Sequence, residues 1–303
     1  MPDISVIIPN LHSTFIDQTL QALHQQTVNL ANVEVLVVGL DGPNLVGENN
    51  LVRLIDTGKP ATPAQARNIG IQQAQGGILC FTDADCLPAP TWLERISQQF
   101  AADDVMVIGG STTFPSDNYW TICDNLSWFH ECTTFSPPGQ RDQLPSLNLA
   151  VRRSVIEMVG LFNESYPRAA GEDAEWTVRM RQKGYKLIFT PEVQVTHYPA
   201  RATLKSIWQH GYTYGRYSVK INPRHQSFLK TSPILQSALK VIGLTPVLAL
   251  WATGRIFWQY RSAWRYWWAI PGIYLGKVAW CLGAATTLWK QQKGNPTFAT
   301  LPD

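Results

Sequence analysis

Short, nearly unbroken apolar runs recur in the first third of the chain and are separated by amphipathic stretches. The runs are rich in Val, Ile and Leu, which is typical of strands buried on both faces of a parallel sheet, and they lie at 4–9, 33–38, 52–55 and 78–82. Between them, the spacing of apolar residues predicts helices at 16–26 and 64–75. Strand, helix and strand in fewer than about 40 residues form a βαβ unit. We therefore expect an α/β fold whose mixed, mostly parallel sheet is flanked by helices.

The run at 78–82 ends abruptly at two carboxylates one residue apart, Asp83 and Asp85. The chain leaves the sheet at the carboxyl end of a buried strand, so both side chains can converge where open α/β sheets bind ligands. Asp41, which follows the run at 33–38, is expected at the same edge. Carboxylate oxygens suit Mg²⁺ or Mn²⁺, and these ions usually share their coordination with substrate phosphates. The competing interpretation, that both aspartates cap a turn and face water, stays open at this point.

A second acidic pair, Glu172 and Asp173, stands before a predicted helix at 174–183. Asp173 is expected at the N-cap, where free backbone N–H groups and the positive end of the helix dipole keep a carboxylate ionised. Such a carboxylate can accept a proton during catalysis. The structural alternative is a simple cap beside an exposed Glu172.

Charge is distributed unevenly along the 303 residues. Up to residue 200 there are 12 Lys and Arg against 21 Asp and Glu, and from residue 201 there are 13 against one, which makes the net charge +3. The basic part contains two mostly apolar stretches of about 20 residues, 234–252 and 269–289, with many Trp around them. Such stretches predict two membrane helices or a re-entrant hairpin. The alternative is an amphipathic pair lying on the bilayer surface, because Lys240 and Lys277 inside these stretches are costly at the middle of a membrane.

These observations divide the chain into a catalytic domain at 1–225 and hydrophobic, basic, membrane-associated helices at 226–303. The amino terminus has no basic segment and its apolar run is too short for a signal peptide, so the catalytic domain is expected in the cytoplasm. Five cysteines, odd in number and without a CxxC spacing, indicate free thiols rather than a disulfide framework or a zinc site.

The succession SVIIPN, VEVLVVGLDG and ARNIGIQQAQGGILCFTDADC resembles the family 2 glycosyltransferases, and the likeness continues at 146–164 and 171–199. It covers about the first 200 residues, with the motifs in the order of the family. The resemblance implies the GT-A fold and inverting transfer from a nucleotide-diphosphate sugar, with Mg²⁺ or Mn²⁺ as the cofactor. No QxxRW motif of the processive members is present, so we expect transfer of a single sugar.

The resemblance implies roles for individual residues. Pro9 would lie against the nucleotide base, Arg67 would touch the nucleotide, and Asp83 would meet the ribose and the metal. Asp85 would ligate the metal, and Asp173 would be the general base.

One departure concerns the end of the second strand. The family usually places two acidic residues there to hold the base, whereas this chain has Gly39 and Leu40 before Asp41. The choice between a UDP-sugar and a GDP-sugar therefore stays open.

Four further residues complete the candidate site. Glu172 is the acid beside the expected base, and Asn68 follows Arg67 near the start of its helix. His197, at the end of a β-like segment, is either a structural hydrogen-bonding residue or a ligand of the metal or pyrophosphate. Arg216 lies in the basic and aromatic segment 207–220, which is suited either to closing over a pyrophosphate or membrane-borne acceptor or to forming an interfacial helix.

The function expected from these features is transfer of a sugar to a lipid-linked or saccharide acceptor at the membrane of the cell envelope, with no nucleic-acid partner. One alternative is a nucleotidyltransferase on the same sheet, but residues 10–13 are not the glycine-rich phosphate loop that such enzymes usually carry. The other is a non-catalytic, membrane-bound nucleotide-sugar-binding protein. Such a protein would be expected to lose one of the acidic motifs, and both are present.

Overall fold

A mixed sheet forms the centre of the first of two units into which the chain folds. The structure, a computed structural model, describes residues 2–115, 117–295 and 297. The first unit runs up to Thr113 and resumes from Cys132 to Tyr198; the second comprises Phe114 to Glu131 and the chain from Pro199 onward. The functional boundary predicted at residue 225 stays a prediction. Residues 1, 116, 296 and 298–303 of the two predicted domains lie outside the described part.

Nine strands of the described chain make up this sheet: β1 Ile4–Leu11, β2 Val33–Leu40, β3 Val52–Asp56, β4 Ile78–Thr82, β5 Cys86–Pro88, β6 Val107–Thr113, β7 Gly139–Gln140, β8 Asn148–Arg152 and β9 Leu187–His197. Their order is β3-β2-β1-β4-β8-β6-β9-β5, and β7 pairs with β9. Strands β1 to β4 pair in parallel, as do β6 and β9, whereas β8 runs antiparallel between β4 and β6. The predicted mixed, mostly parallel sheet is confirmed.

The helices, numbered in chain order, are α1 Ile16–His24, α2 Pro63–Gln73, α3 Trp92–Gln99, α4 Tyr119–Phe129, α5 Arg153–Val159, α6 Glu172–Gln182, α7 Leu204–Arg216, α8 Pro223–Gln226, α9 Ala238–Gln259 and α10 Ile270–Gln292. The helices predicted at 16–26 and 64–75 correspond to α1 and α2 and end two residues earlier. Helix α2 begins where it does because Thr62 and Gln65 form a capping box, in which each side chain accepts a hydrogen bond from the other's backbone N–H.

Aromatic packing fixes α6 beneath the sheet. Trp176 of α6 is fully buried, and its ring meets that of Phe81 on β4 edge-on at a centroid distance of 5.5 Å. The ring of Phe162 lies 4.0 Å from that of Trp176. The indole N–H donates to the carbonyl of Gly160 at 2.8 Å, so its polar group is satisfied. The start of α6 is therefore held in a constant position relative to the end of β4.

Small residues join α7 and α10 in the second unit. A Cβ added to Gly215 would collide with the backbone carbonyl of Trp280, and one added to Gly283 would collide with that of Tyr212. The hydroxyl of Thr287 on α10 donates to the carbonyl of Arg216 at 2.9 Å. The two helices can approach this closely only because glycine has no side chain.

Among the described residues, α9 alone is long and apolar enough to cross a membrane. Its exposed face carries large apolar side chains, namely Leu239, Ile242, Val247, Leu250, Trp251 and Trp258. The second predicted stretch became α10, which does not meet the same criterion. Of the two membrane helices predicted from the sequence, α9 therefore remains as the one candidate in the described part of the chain.

Two glycine substitutions test the close contact between α7 and α10. We expect Gly215→Ala to destabilise the second unit by about 1–3 kcal/mol, since the added methyl group meets a backbone carbonyl that cannot rotate away. Gly243→Ala in α9 is the control: no atom lies within 4 Å of the added Cβ, so only helix propensity changes, in the stabilising direction. Thermal unfolding of the full chain measures both. An unfolding temperature of the Gly215 variant equal to that of the Gly243 variant would contradict the packing described above.

Candidate active site at the carboxyl edge of the sheet

The first acidic motif lies directly after the central strand β4. Asp83 and Asp85 follow Thr82, and the backbone N–H of Cys86 donates to the carbonyl of Asp83 at 3.1 Å, which closes a turn. The side chains of the two aspartates are 30% and 35% exposed, so each carboxylate is open to a ligand on one side. The motif therefore stands at the edge of the sheet where the fold binds ligands.

A buried arginine connects this motif to the second acidic pair. Arg67, on α2, is 3% exposed, and its guanidinium donates to Asp83 Oδ1 at 2.8 Å and to Glu172 Oε1 at 3.0 Å. The guanidinium also lies 5.6 Å from the centre of the Phe162 ring. Sequence reasoning identified Arg67 only as a nucleotide contact and missed this bridge. In the structure two of its nitrogen atoms are occupied by protein carboxylates.

The acidic pair begins α6 differently from the expectation. The N-cap is Gly171, with a positive φ of 88°, and Glu172 and Asp173 are the first two residues of the helix. The expectation of Asp173 as the N-cap is therefore wrong, because only glycine adopts this backbone conformation without strain. Asp173 nevertheless accepts hydrogen bonds from backbone N–H groups, at 3.2 Å from Ser146 and 2.7 Å from Ala174.

Glu172 is buried rather than exposed, in contrast to the alternative of a simple cap. It is 3% exposed, and its Oε2 atom has no hydrogen-bond partner within the described part of the chain. Burial and the charge of Asp173 raise the pKa of Glu172 to about 7, against the opposing effect of Arg67. Burial also raises the pKa of Asp173, while Arg67 and the two backbone N–H groups act in the opposite direction. The pair thus contains two carboxyls with raised proton affinity at the start of one helix.

The other residues predicted to bind the nucleotide-sugar lie in three different surroundings. Pro9 is half-buried on β1, opposite Val38 of β2. Asn68 is buried and exchanges hydrogen bonds with the backbone of Phe162, so it ties α2 to a loop of the core instead of reaching the sheet edge. Arg216 ends α7 in the second unit, with its guanidinium 5.3 Å from the ring of Tyr217.

Asp41 stands at the end of β2, as expected from the sequence. Its Oδ2 accepts a hydrogen bond from the N–H of Val46 at 2.7 Å, and its Oδ1 is buried without a partner among the described residues. The glycine that precedes it, Gly39, has a φ of 139°, and a Cβ there would collide with the carbonyl of Asn10 on β1. This close approach explains why an acidic residue is not tolerated two positions before Asp41.

His197 lies beside the first acidic motif. It ends β9, is 3% exposed, and its Nε2 atom stands 3.6 Å from Asp85 Oδ2. Potential ligand atoms of Asp85, Cys86 and His197 all lie within 4.8 Å of one another. A carboxylate and an imidazole at this separation fit a divalent cation. Cys86 was not a candidate in the sequence, although its position directly after Asp85 was the available signal.

Known proteins resemble this chain in both sequence and fold. The model of the family "Glycosyl transferase family 2" matches residues 5–147. The glycosyltransferase AglE of Haloferax volcanii is 34% identical over 211 residues, which span 66% of this chain and 68% of AglE.

Two solved structures share the GT-A fold with this chain. The mannosyltransferase PcManGT of Pyrobaculum calidifontis, in complex with GDP-Man and Mn²⁺, has a TM-score of 0.62 at 21% identity, covering 96% of this chain and 88% of PcManGT. GalNAc-T7, with UDP, GalNAc and Mn²⁺, has a TM-score of 0.53 at 19% identity, covering 79% of this chain and 53% of its own.

The raised pKa of Glu172 predicts a specific pH dependence of stability. Its pKa in the folded protein, about 7, is higher than the ordinary value of 4.5, so the folded state binds the proton more tightly than the unfolded chain. The stabilising contribution is complete below about pH 4.5 and is lost as the pH rises through about 7. We expect Glu172→Gln to remove this loss, so that its unfolding temperature falls less than that of wild type between these two pH values.

Thr177→Ser is the matched control for this measurement. Thr177 lies on the same helix, is also buried and carries no titrating group. Its variant should keep the wild-type pH profile. Identical profiles for wild type and Glu172→Gln would contradict the assignment of the titrating group.

Proposed function

Because this chain belongs to glycosyl transferase family 2, we propose that it is an inverting enzyme that moves one sugar from a nucleotide-diphosphate sugar to an acceptor hydroxyl. The observation that carries the proposal is the bridge of Arg67 between Asp83 and Glu172. The buried guanidinium of Arg67 thus connects Asp83, in the acidic motif proposed to bind the donor, with Glu172, in the acidic pair that contains the proposed base. The donor and the attacking acceptor oxygen would thereby meet above a single edge of the sheet.

The donor would lie with its base near Pro9 and Asp41. The unpartnered Oδ1 of Asp41 offers a hydrogen-bond acceptor to an N–H group of a uracil or guanine base. Asp83 would contact the ribose with the part of its carboxylate that Arg67 leaves open. GDP-Man and UDP are the nucleotides in the two solved structures of similar fold, and GDP-mannose is the first donor to test.

Asp85 and His197 would hold the divalent cation. Mg²⁺ or Mn²⁺ bound there would neutralise negative charge on the diphosphate of the departing nucleotide. The carboxylate of Asp85 supplies a hard oxygen ligand, and the half-exposed position of its side chain leaves space for phosphate oxygens.

Asp173 would act as the general base. It would take the proton of the acceptor hydroxyl while the acceptor oxygen forms a bond to the anomeric carbon and the bond from that carbon to the diphosphate breaks. Attack from the face opposite the diphosphate inverts the configuration. The raised pKa of Asp173 favours this role, since a base with a pKa nearer the working pH accepts a proton more readily. Glu172, fixed by Arg67, would position the start of α6.

The acceptor would be lipid-linked or close to a membrane. The exposed apolar face of α9 includes Trp251 and Trp258, and Arg255 lies between them on the same helix. Apolar and Trp residues with a basic group suit contact with a bilayer that carries anionic lipids. The catalytic domain would then act from the cytoplasmic side, with residues 226–303 at the membrane.

The function is tested by a transfer assay with GDP-mannose and a panel of UDP-sugars in the presence of Mn²⁺, and Asp173→Asn tests the base. We expect the variant to bind the donor as wild type does, because the amide keeps the size of the side chain and its single oxygen can still accept one of the two backbone hydrogen bonds. Its turnover should fall by roughly 10²–10⁴, the usual contribution of a positioned base.

Calorimetric titration of the nucleotide separates the effect of Asp173→Asn on donor binding from its effect on turnover. Glu192→Gln, an exposed change on β9, is the control and should leave turnover unchanged. Wild-type turnover in the Asp173 variant would reassign the base. No release of GDP or UDP by wild-type protein from any donor would contradict the proposed function.

Membrane association is tested by flotation of the full chain with anionic liposomes. We expect wild-type protein to float and the double variant Leu250→Glu/Trp258→Glu to float less, because both side chains are exposed on α9, at 63% and 86%. Met158→Glu, which adds the same charge at a 61% exposed position in the first unit, is the control. Wild-type protein that stays at the bottom of the gradient would rule out this part of the proposal.

A further inference from the structure

A short antiparallel strand pair brings a cysteine to the proposed metal site. Strands β5 and β9 pair with Cys86 directly opposite His197. Residues directly opposite each other in such a pair project from the same face of the sheet. The backbone N–H of Tyr198 donates to the carbonyl of Asp85 at 2.8 Å, which extends the contact by one residue. Three potential ligand residues are therefore held by the same local backbone.

The distances among their side chains match those of ligands around one ion. Cys86 Sγ lies 3.8 Å from Asp85 Oδ1, and His197 Nε2 lies 3.6 Å from Asp85 Oδ2. Ligands that bind one cation at about 2.1 Å for oxygen or nitrogen and about 2.3 Å for sulfur stand about 3.4–3.6 Å apart at a tetrahedral angle. The two distances involve different oxygens of Asp85, and one ligand atom from each of the three residues lies within 4.8 Å of the others. Rotation of the Asp85 carboxylate with small shifts of the other two side chains would place the three ligand atoms on a shared ion.

The other cysteines have no comparable surroundings. Cys80, Cys123, Cys132 and Cys281 are buried thiols, and within the described residues the trio of Asp85, Cys86 and His197 is the one group with metal-ligand spacing. The alternative for Cys86 is a weak hydrogen bond from its thiol to Asp85, with no part in metal binding.

We propose that Cys86 is a thiolate ligand of the divalent cation, beside Asp85 and His197, and that it sets the metal preference of the site. The inference deepens the proposed function and rests on it for the role of the ion. On metal binding the bond from sulfur to the metal forms and the thiol proton leaves to solvent. Because thiolates prefer softer cations, the site should favour Zn²⁺, Cd²⁺ and Co²⁺ over Mg²⁺.

Cobalt binding to the full-length protein tests the assignment without any turnover. A thiolate bound to Co²⁺ gives a charge-transfer absorption in the near ultraviolet, which oxygen and nitrogen ligands alone do not give. We expect this absorption when Co²⁺ is added to reduced wild-type protein. We also expect Cd²⁺ to compete for the site at concentrations far below those needed with Mg²⁺.

Variants of single cysteines show which sulfur is responsible. Cys86→Ala should lose the absorption and weaken Cd²⁺ binding by roughly tenfold or more, with little change for Mg²⁺, and Cys86→Ser should behave in the same way. Cys80→Ala is the matched control, since Cys80 is an equally buried thiol on β4 and should keep the wild-type spectrum.

The absence of the absorption from wild-type protein, or its persistence in Cys86→Ala, would overturn the proposal. These spectra are independent of catalysis. A wild-type protein that shows the absorption but transfers no sugar would refute the proposed function while the ligand assignment stands.

Discussion

The pairing of Arg67 with two carboxylates is the interaction on which the site depends. A buried guanidinium is tolerated because Asp83 and Glu172 each accept one hydrogen bond from it, at 2.8 and 3.0 Å. Removing one partner of such a pair typically costs about 3–5 kcal/mol, because the remaining charge stays buried without compensation. The arginine therefore makes the end of β4 and the start of α6 a single electrostatic unit. Neither acidic motif could change position without disturbing the other.

Aromatic packing supplies the rigidity that this electrostatic unit requires. Trp176 of α6 packs against Phe81, the second-last residue of β4. The same hydrophobic contact therefore supports the two elements, β4 and α6, at whose ends the carboxylates bound by Arg67 lie. The indole N–H is the one polar group of the Trp176 side chain, and its hydrogen bond to the carbonyl of Gly160 offsets the cost of burying it. The hydrophobic core thus preorganises the site, because the charged side chains are already in position before the donor binds.

Lys277 of α10 is held by contacts with α4 inside the second unit. A lysine within an apolar stretch is costly in a bilayer, yet here its ammonium donates to the carbonyl of Ser127 and lies 4.3 Å from the centre of the Trp128 ring. Both partners belong to the last turn of α4, where the negative end of the helix dipole favours a cation. Lys277 is thus part of the packing of α10 against α4.

The sequence by itself determined the first four strands, the first two helices and the positions of both acidic motifs along the chain. These features follow from local periodicity and from residue type, and the order of the motifs was enough to predict the family and its fold. The partners of Arg67, the shift of the N-cap to Gly171 and the pairing of Cys86 with His197 were decided only by the tertiary structure. Each depends on segments that are far apart in the chain, such as β5 and β9, or on backbone conformation. Local patterns of hydrophobicity carry no information about which distant charges or thiols will meet.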